Sequence, residues 1–198
     1  ISLAQVDHNE IGSCGIDMVL DKVSSNLNGD YENIVIANNA ISYQRETNRR
    51  KSRQGYEMSA TTSAIGLAPG GVVRNVLVAG NIIRNAPVKG IALGFSNDSI
   101  CKNLVIKDNL IVDAGLNAGV EQRGHRASIF LVGHLADVAV EGNTIIDTGR
   151  PLNGYQSFYV YPTSATRVSI QDNNIGTKQG NLYDNRDRSK ASGPGNRF

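Results

Sequence analysis

The sequence contains no Trp and only two Cys, two Met, three His and five Pro among its 198 residues. The cysteines, Cys14 and Cys101, do not define a pairing by sequence, and buried free thiols are the expected state. No apolar run approaches the roughly 20 residues of a transmembrane helix, so no membrane span is expected. No signal-peptide pattern is visible. An excess of one charge is missing as well. Lys plus Arg number 20 against 18 Asp plus Glu, a net +2, so no global field points to nucleic acid or to a membrane surface.

What is present suits a folded domain. The length allows one domain with a sizeable core, and 40% apolar with 19% charged residues is a globular composition. The 21 glycines suit many tight turns. Because the chain opens on "ISLAQV" rather than Met, it reads as part of a longer protein or as a processed chain.

The dominant pattern is a recurring Asn followed two places later by Ile. It occurs as Asn9/Ile11, Asn39/Ile41, Asn81/Ile83, Asn109/Ile111, Asn143/Ile145 and Asn173/Ile175, at intervals of 30, 42, 28, 34 and 30 residues. Alternating aliphatics precede it, as in Ile34/Ile36, Val76/Val78, Leu104/Ile106, Val138/Val140 and Val168/Ile170. Period-two alternation marks strands with one buried face. A second apolar strand follows each copy: "GIDMVL", "AIGLA", "GIALGF", "SIFLVG", "SFYVYP" and, more weakly, "NLYDN". Regular spacing without a helical pattern between the strands predicts stacked coils of parallel sheet. The recurring Asn residues are expected at sharp corners, where Asn tolerates left-handed backbone and stacked amides can bond one another.

These motifs, aliphatic-x-aliphatic-x-x-Asn-x-Ile followed by Gly-Ile-x-Leu, resemble the repeat of the right-handed parallel β-helix of the pectin-lyase-like superfamily. The resemblance covers residues 3 to about 185 and implies an all-β, single-stranded solenoid of about six coils. The expected organisation is a β-helix domain over 1–183 and a polar, basic tail over 184–198. The resemblance further implies action on polysaccharides, as lyase, hydrolase or epimerase, in an extracellular, cell-surface or virion-associated setting. Relatives in phage tailspikes imply a homotrimer, although no coiled-coil heptad is present to enforce one. No cofactor is implied, and no Asp cluster of the kind used by calcium-dependent lyases is seen.

Function is expected where the repeat breaks, because loops carry it on a rigid scaffold. From corner Asn to the next buried strand residue the chain runs 7, 26, 10, 20, 15 and 9 residues, whereas the return path is more uniform. The insertions 42–63, 112–127 and 146–156 should therefore emerge along one edge, from coils about 4.8 Å apart. They hold the candidate substrate-binding residues Arg49, Arg50, Arg53, Tyr56, Arg123, Arg126, Arg150 and Tyr155, and the candidate catalytic residues Glu57, Glu121, His125 and Asp147. Solvated charge runs are one reading of these loops. The other is a groove for a polyanion, since guanidinium forks match carboxylates and phosphates and Tyr offers a flat face to a sugar ring.

Two chemistries fit such a groove. Glycoside hydrolysis needs paired carboxylates, which Glu121 could form with Glu57, Glu46 or Asp147. Elimination from a uronic acid needs a cation to neutralise its carboxylate and a base for the adjacent proton, roles that Arg123, Arg126 and His125 could divide. The sequence "RGHRA" keeps Gly124-His125 of the polygalacturonase-like Gly-His-Gly but has Arg126 in third place, and the Asn-Thr-Asp and Asp-Asp motifs of that branch are absent. Structural roles are expected for His8 and His134. The alternative to an enzyme is a non-catalytic carbohydrate-binding or structural segment of a tailspike or adhesin.

Overall fold

The computed structural model describes residues 4–12, 16–19, 30–43, 63–68, 72–94, 97–115, 126–148, 155–176 and 181–183. At 12, 16–19, 68, 155, 156, 161 and 181–183 it describes the backbone alone. These residues form an all-β parallel solenoid with no helix among them. Each coil contributes a long strand before the recurring Asn, a three-residue strand after it, and a third strand once a connection has been crossed. The first group comprises β1 (Ala4–Asp7), β4 (Tyr31–Ala37), β7 (Val72–Ala79) and β10 (Ile100–Lys107). The short strands are β2 (Glu10–Gly12), β5 (Ala40–Ser42), β8 (Ile82–Arg84), β11 (Leu110–Val112), β13 (Thr144–Ile146) and β15 (Asn174–Gly176). The third group comprises β3 (Ile16–Val19), β6 (Ser63–Ala68), β9 (Lys89–Leu93) and β16 (Asn181–Tyr183). In β12 (Arg126–Glu141) and β14 (Tyr155–Gln171) the third strand of one coil runs without a break into the first strand of the next.

Every strand pair among the described residues is parallel. The short strands stack in the order β2-β5-β8-β11-β13-β15, one for each copy of the Asn motif. The solenoid amounts to about four turns, fewer than the six expected, although all six copies of the Asn motif stack in it. The first rung shows the difference. Ala4, Val6 and Ile11 are only partly buried there, while their counterparts Ile34, Ile36 and Ile41 are sealed.

The register explains the core. Ile11, Ile41, Ile83, Ile111, Ile145 and Ile175 stand in one column. Ile65, Ile91, Ile129 and Phe158 form another. Equal side chains at equal positions interdigitate from rung to rung, and each fully buried aliphatic contributes about 1.5–3 kcal/mol. Cys101 belongs to this interior as a free thiol; burial pushes its pKa up to about 12, which leaves it protonated and inert. Cys14 lies outside the described residues.

The corners differ from expectation in one respect. The recurring Asn residues are not in left-handed backbone; the residue before each of them is: His8, Asn38, Gly80, Asp108, Gly142 and Asp172, with φ of 53–64°. The Asn side chain does separate work. Asn81 Nδ2 donates to the carbonyls of Ile36 (2.9 Å) and Ala79 (3.1 Å) and to Asn109 Oδ1 (2.9 Å), while its Oδ1 accepts from the backbone N–H and Nδ2 of Asn39. The same donations link Asn9 to Asn39, Asn109 to Asn143, and Asn143 to Asn173. A continuous amide ladder thus satisfies the backbone groups that each corner takes out of the sheets.

A second left-handed column, not anticipated from sequence, bends the long strands at Asn33, Asn75, Asn103, Asp137 and Arg167. Asn75 and Asn103 each donate to the preceding Asn. On the next two rungs the amides give way to an Asp137–Arg167 ion pair, with Arg167 Nη2 2.7 Å from Asp137 Oδ2.

Candidate functional site

The three long insertions enter the solenoid at one corner. They lie between β5 and β6, β11 and β12, and β13 and β14, all connections from the short sheet to the third face. This agrees with the edge expected from loop lengths. The outward side of that third face begins where the insertions end, which places it beside the loop-bearing edge.

Its inward residues are Ile91, Leu93, Ile129, Leu131, Phe158 and Val160, all core. The alternate positions Ala92, Phe130 and Val132 form, together with Ala127, a separate apolar cluster, with Tyr159 packed against it. Phe130 and Tyr159 are register partners, so the spacing of the strands stacks their rings face to face, with centroids 4.9 Å apart and planes 6° from parallel. Lys89, the first residue of β9, places Nζ 4.4 Å from the centroid of the Phe130 ring, a cation–π geometry. Lys89 is in register with Ser63 on one side and Ala127 on the other. Arg126 precedes Ala127 and pairs with Tyr155 on the next rung. Two cations thus stand at the loop-bearing ends of neighbouring strands. Lys89 is 1% exposed and Arg126 7%. Burial lowers the basicity of the Arg126 guanidinium, because desolvation disfavours its charged form.

Of the residues singled out from sequence, Arg126 is in this cluster and Tyr155 is placed by its backbone beside it. Asp147 is elsewhere. It follows β13, is 3% exposed, and its backbone N–H donates to the Gly176 carbonyl. It stands one rung from Asp113, whose carboxylate accepts from the backbone N–H (2.8 Å) and Oγ1 (2.9 Å) of Thr148. This is a corner arrangement of the same kind as the amide ladder. Arg49, Arg50, Arg53, Tyr56, Glu57, Glu121, Arg123, His125 and Arg150 lie outside the described residues. Of the histidines given structural roles, His8 is a left-handed corner residue beside Asp7, and His134 bonds Ser164 on the adjacent rung.

Lys89, Phe130 and Tyr159 were not reached by sequence reasoning. The signal was present in "KGIAL", "SIFLV" and "SFYVY". The residue after the buried Ile or Phe of each strand takes the outward position, and in two of the three it is aromatic. Among the described residues no three His, Cys, Asp or Glu side chains converge as metal ligands, and no helix is long and apolar enough to cross a membrane. Comparison with protein-family models, curated proteins and solved structures found no match to this chain.

Proposed function

We propose that this solenoid belongs to a polysaccharide-processing protein of the pectin-lyase-like type, acting as a hydrolase or as a uronate lyase or epimerase along its loop-bearing edge. One observation carries the reading. The insertions all enter at one corner, and the outward sheet face that begins there bears stacked aromatic rings and two cations instead of an ordinary polar strand surface. Tyr159 is the partly open ring of that face and suits the apolar face of a sugar, while Phe130, Lys89 and Arg126 lie buried beneath it. In hydrolysis, Glu121 with Glu57 or Asp147 would act as acid and base or nucleophile. In elimination, His125 would take the proton while Arg123 and Arg126 neutralise the uronate. The setting that goes with this reading is extracellular, cell-surface or virion-associated, with a homotrimer as the assembly.

The second reading is a non-catalytic carbohydrate-binding or structural segment. The burial of Lys89, Phe130, Asp147 and Arg126 favours it, since a side chain closed off from solvent meets no substrate. A panel of neutral and acidic polysaccharides separates the two. Ultraviolet absorbance from an unsaturated uronate product identifies a lyase, and new reducing ends without it identify a hydrolase. Retention on a glycan without either product establishes the binding reading. Absence of both product and retention across the panel overturns both.

A further inference from the structure

We infer that Ser164 and His134 form a nucleophile–base dyad able to hydrolyse esters, a chemistry separate from cleavage of the glycan chain. Ser164 Oγ lies 2.8 Å from His134 Nδ1, on adjacent rungs and in direct register. Ser164 is exposed and His134 half-buried, so the pair is open to a substrate. Three features hold it. The β12–β14 ladder shifts register between Gly133 and His134, and Gly133 has φ 111° with its carbon 2.2 Å from the Ser99 carbonyl oxygen if a Cβ is added. The backbone N–H of His134 donates to that same Ser99 carbonyl at 2.7 Å. On the partner strand, Thr163 Oγ1 donates to the Asn97 carbonyl at 2.8 Å. The irregularity therefore falls beside the dyad, and bulges are over-represented next to active sites, where they re-aim a side chain. Ile100 is the register partner of His134 on its other side. At 42% exposed, it gives the imidazole an apolar neighbour.

The chemistry balances with water as the only co-reactant. With neutral His134 carrying its proton on Nε2, Nδ1 takes the Ser164 hydroxyl proton as Oγ attacks the ester carbonyl. The C–O bond to the alcohol breaks, and the imidazolium returns the proton to the departing alkoxide. Water, deprotonated by the same imidazole, then attacks the acyl-serine and releases the carboxylic acid and free Ser164. The substrate class is an O-acylated hydroxyl. That this hydroxyl belongs to a polysaccharide rests on the proposal above, whereas the acyl transfer does not.

The whole chain is treated with a fluorophosphonate, which transfers its phosphonyl group to an activated serine with loss of fluoride, and modified peptides are mapped by mass. Hydrolysis of 4-nitrophenyl acetate is followed in parallel for the wild type, Ser164→Ala and His134→Gln. The expected results are an adduct on Ser164 and a fall in ester turnover of roughly 100-fold in either variant. No adduct on Ser164, or wild-type turnover in Ser164→Ala, overturns the dyad. Both substitutions are at solvent-accessible positions, and an unchanged β-sheet circular dichroism spectrum shows that loss of turnover is not loss of fold. Ester turnover with a silent glycan panel removes the polysaccharide reading and keeps the dyad, and the reverse removes the dyad alone.

Discussion

Asn81 serves five groups at one corner: three acceptors through Nδ2 and two donors through Oδ1. It is fully buried, so truncation leaves those groups without water to replace it. Each stranded buried group costs about 1–3 kcal/mol. Asn81→Ala is therefore expected to destabilise the chain by roughly 2–5 kcal/mol, read from urea unfolding. Asn9→Ala should cost much less, because Asn9 is exposed and ends the ladder. Equal losses at the two positions would contradict the ladder account. Asp137 permits a second test at this scale. Its hydrogen bond to Arg167, with the charges of Arg167 and Lys102, holds its carboxyl below the usual range. The folded pKa lies below the unfolded one, so this pair contributes stability above the unfolded value of about 3.9 and loses it as pH falls through the folded value. Carboxyl titration by NMR should show Asp137 low in the wild type and returned toward its ordinary value in Arg167→Gln. The pair is exposed, so only a small change in acid stability accompanies it.

Elements inherit these residue rules through the register. From Asn38 onward, the left-handed position before the corner Asn alternates between side chain and glycine for a steric reason. A Cβ on Gly80 would meet Asn38 Oδ1 at 2.5 Å, and one on Gly142 would meet Asp108 Oδ1 at 2.7 Å. A side chain that folds over the next rung requires that rung to have none. Gly80→Ala should thus destabilise in the presence of Asn38 and less so in an Asn38→Gly background. The expected coupling in a double-mutant cycle is about 0.5–3 kcal/mol, and additive effects would show that the two positions do not meet. The same logic explains which parts of the architecture were legible. The Asn ladder and the isoleucine columns were readable because each rung asks for one residue type. The second bend was not, because Asn33, Asn75, Asn103, Asp137 and Arg167 share a backbone angle and not a chemistry. Lys89 escaped notice because its burial depends on what lies over the outer face, which no local pattern encodes.

For the whole molecule, the position of the insertions followed from connection lengths alone, since a solenoid converts length differences at one corner into loops along one edge. The surface beneath them did not follow, because aromatic residues in apolar strands look like core until the register sends them outward. If the proposed function holds, the third face and its loop-bearing edge bind the glycan, and the short sheet, with Ile82 and Ile146 exposed, is plain surface. If the glycan is acidic, retention should weaken as salt rises, because screening shortens the reach of the cations. The most direct test is amide hydrogen exchange with and without the glycan retained best in the panel. The account predicts added protection at the start of β9 and along the first halves of β12 and β14, with β8, β11 and β13 unchanged. Protection on the short sheet instead, or no change on either face, would contradict it.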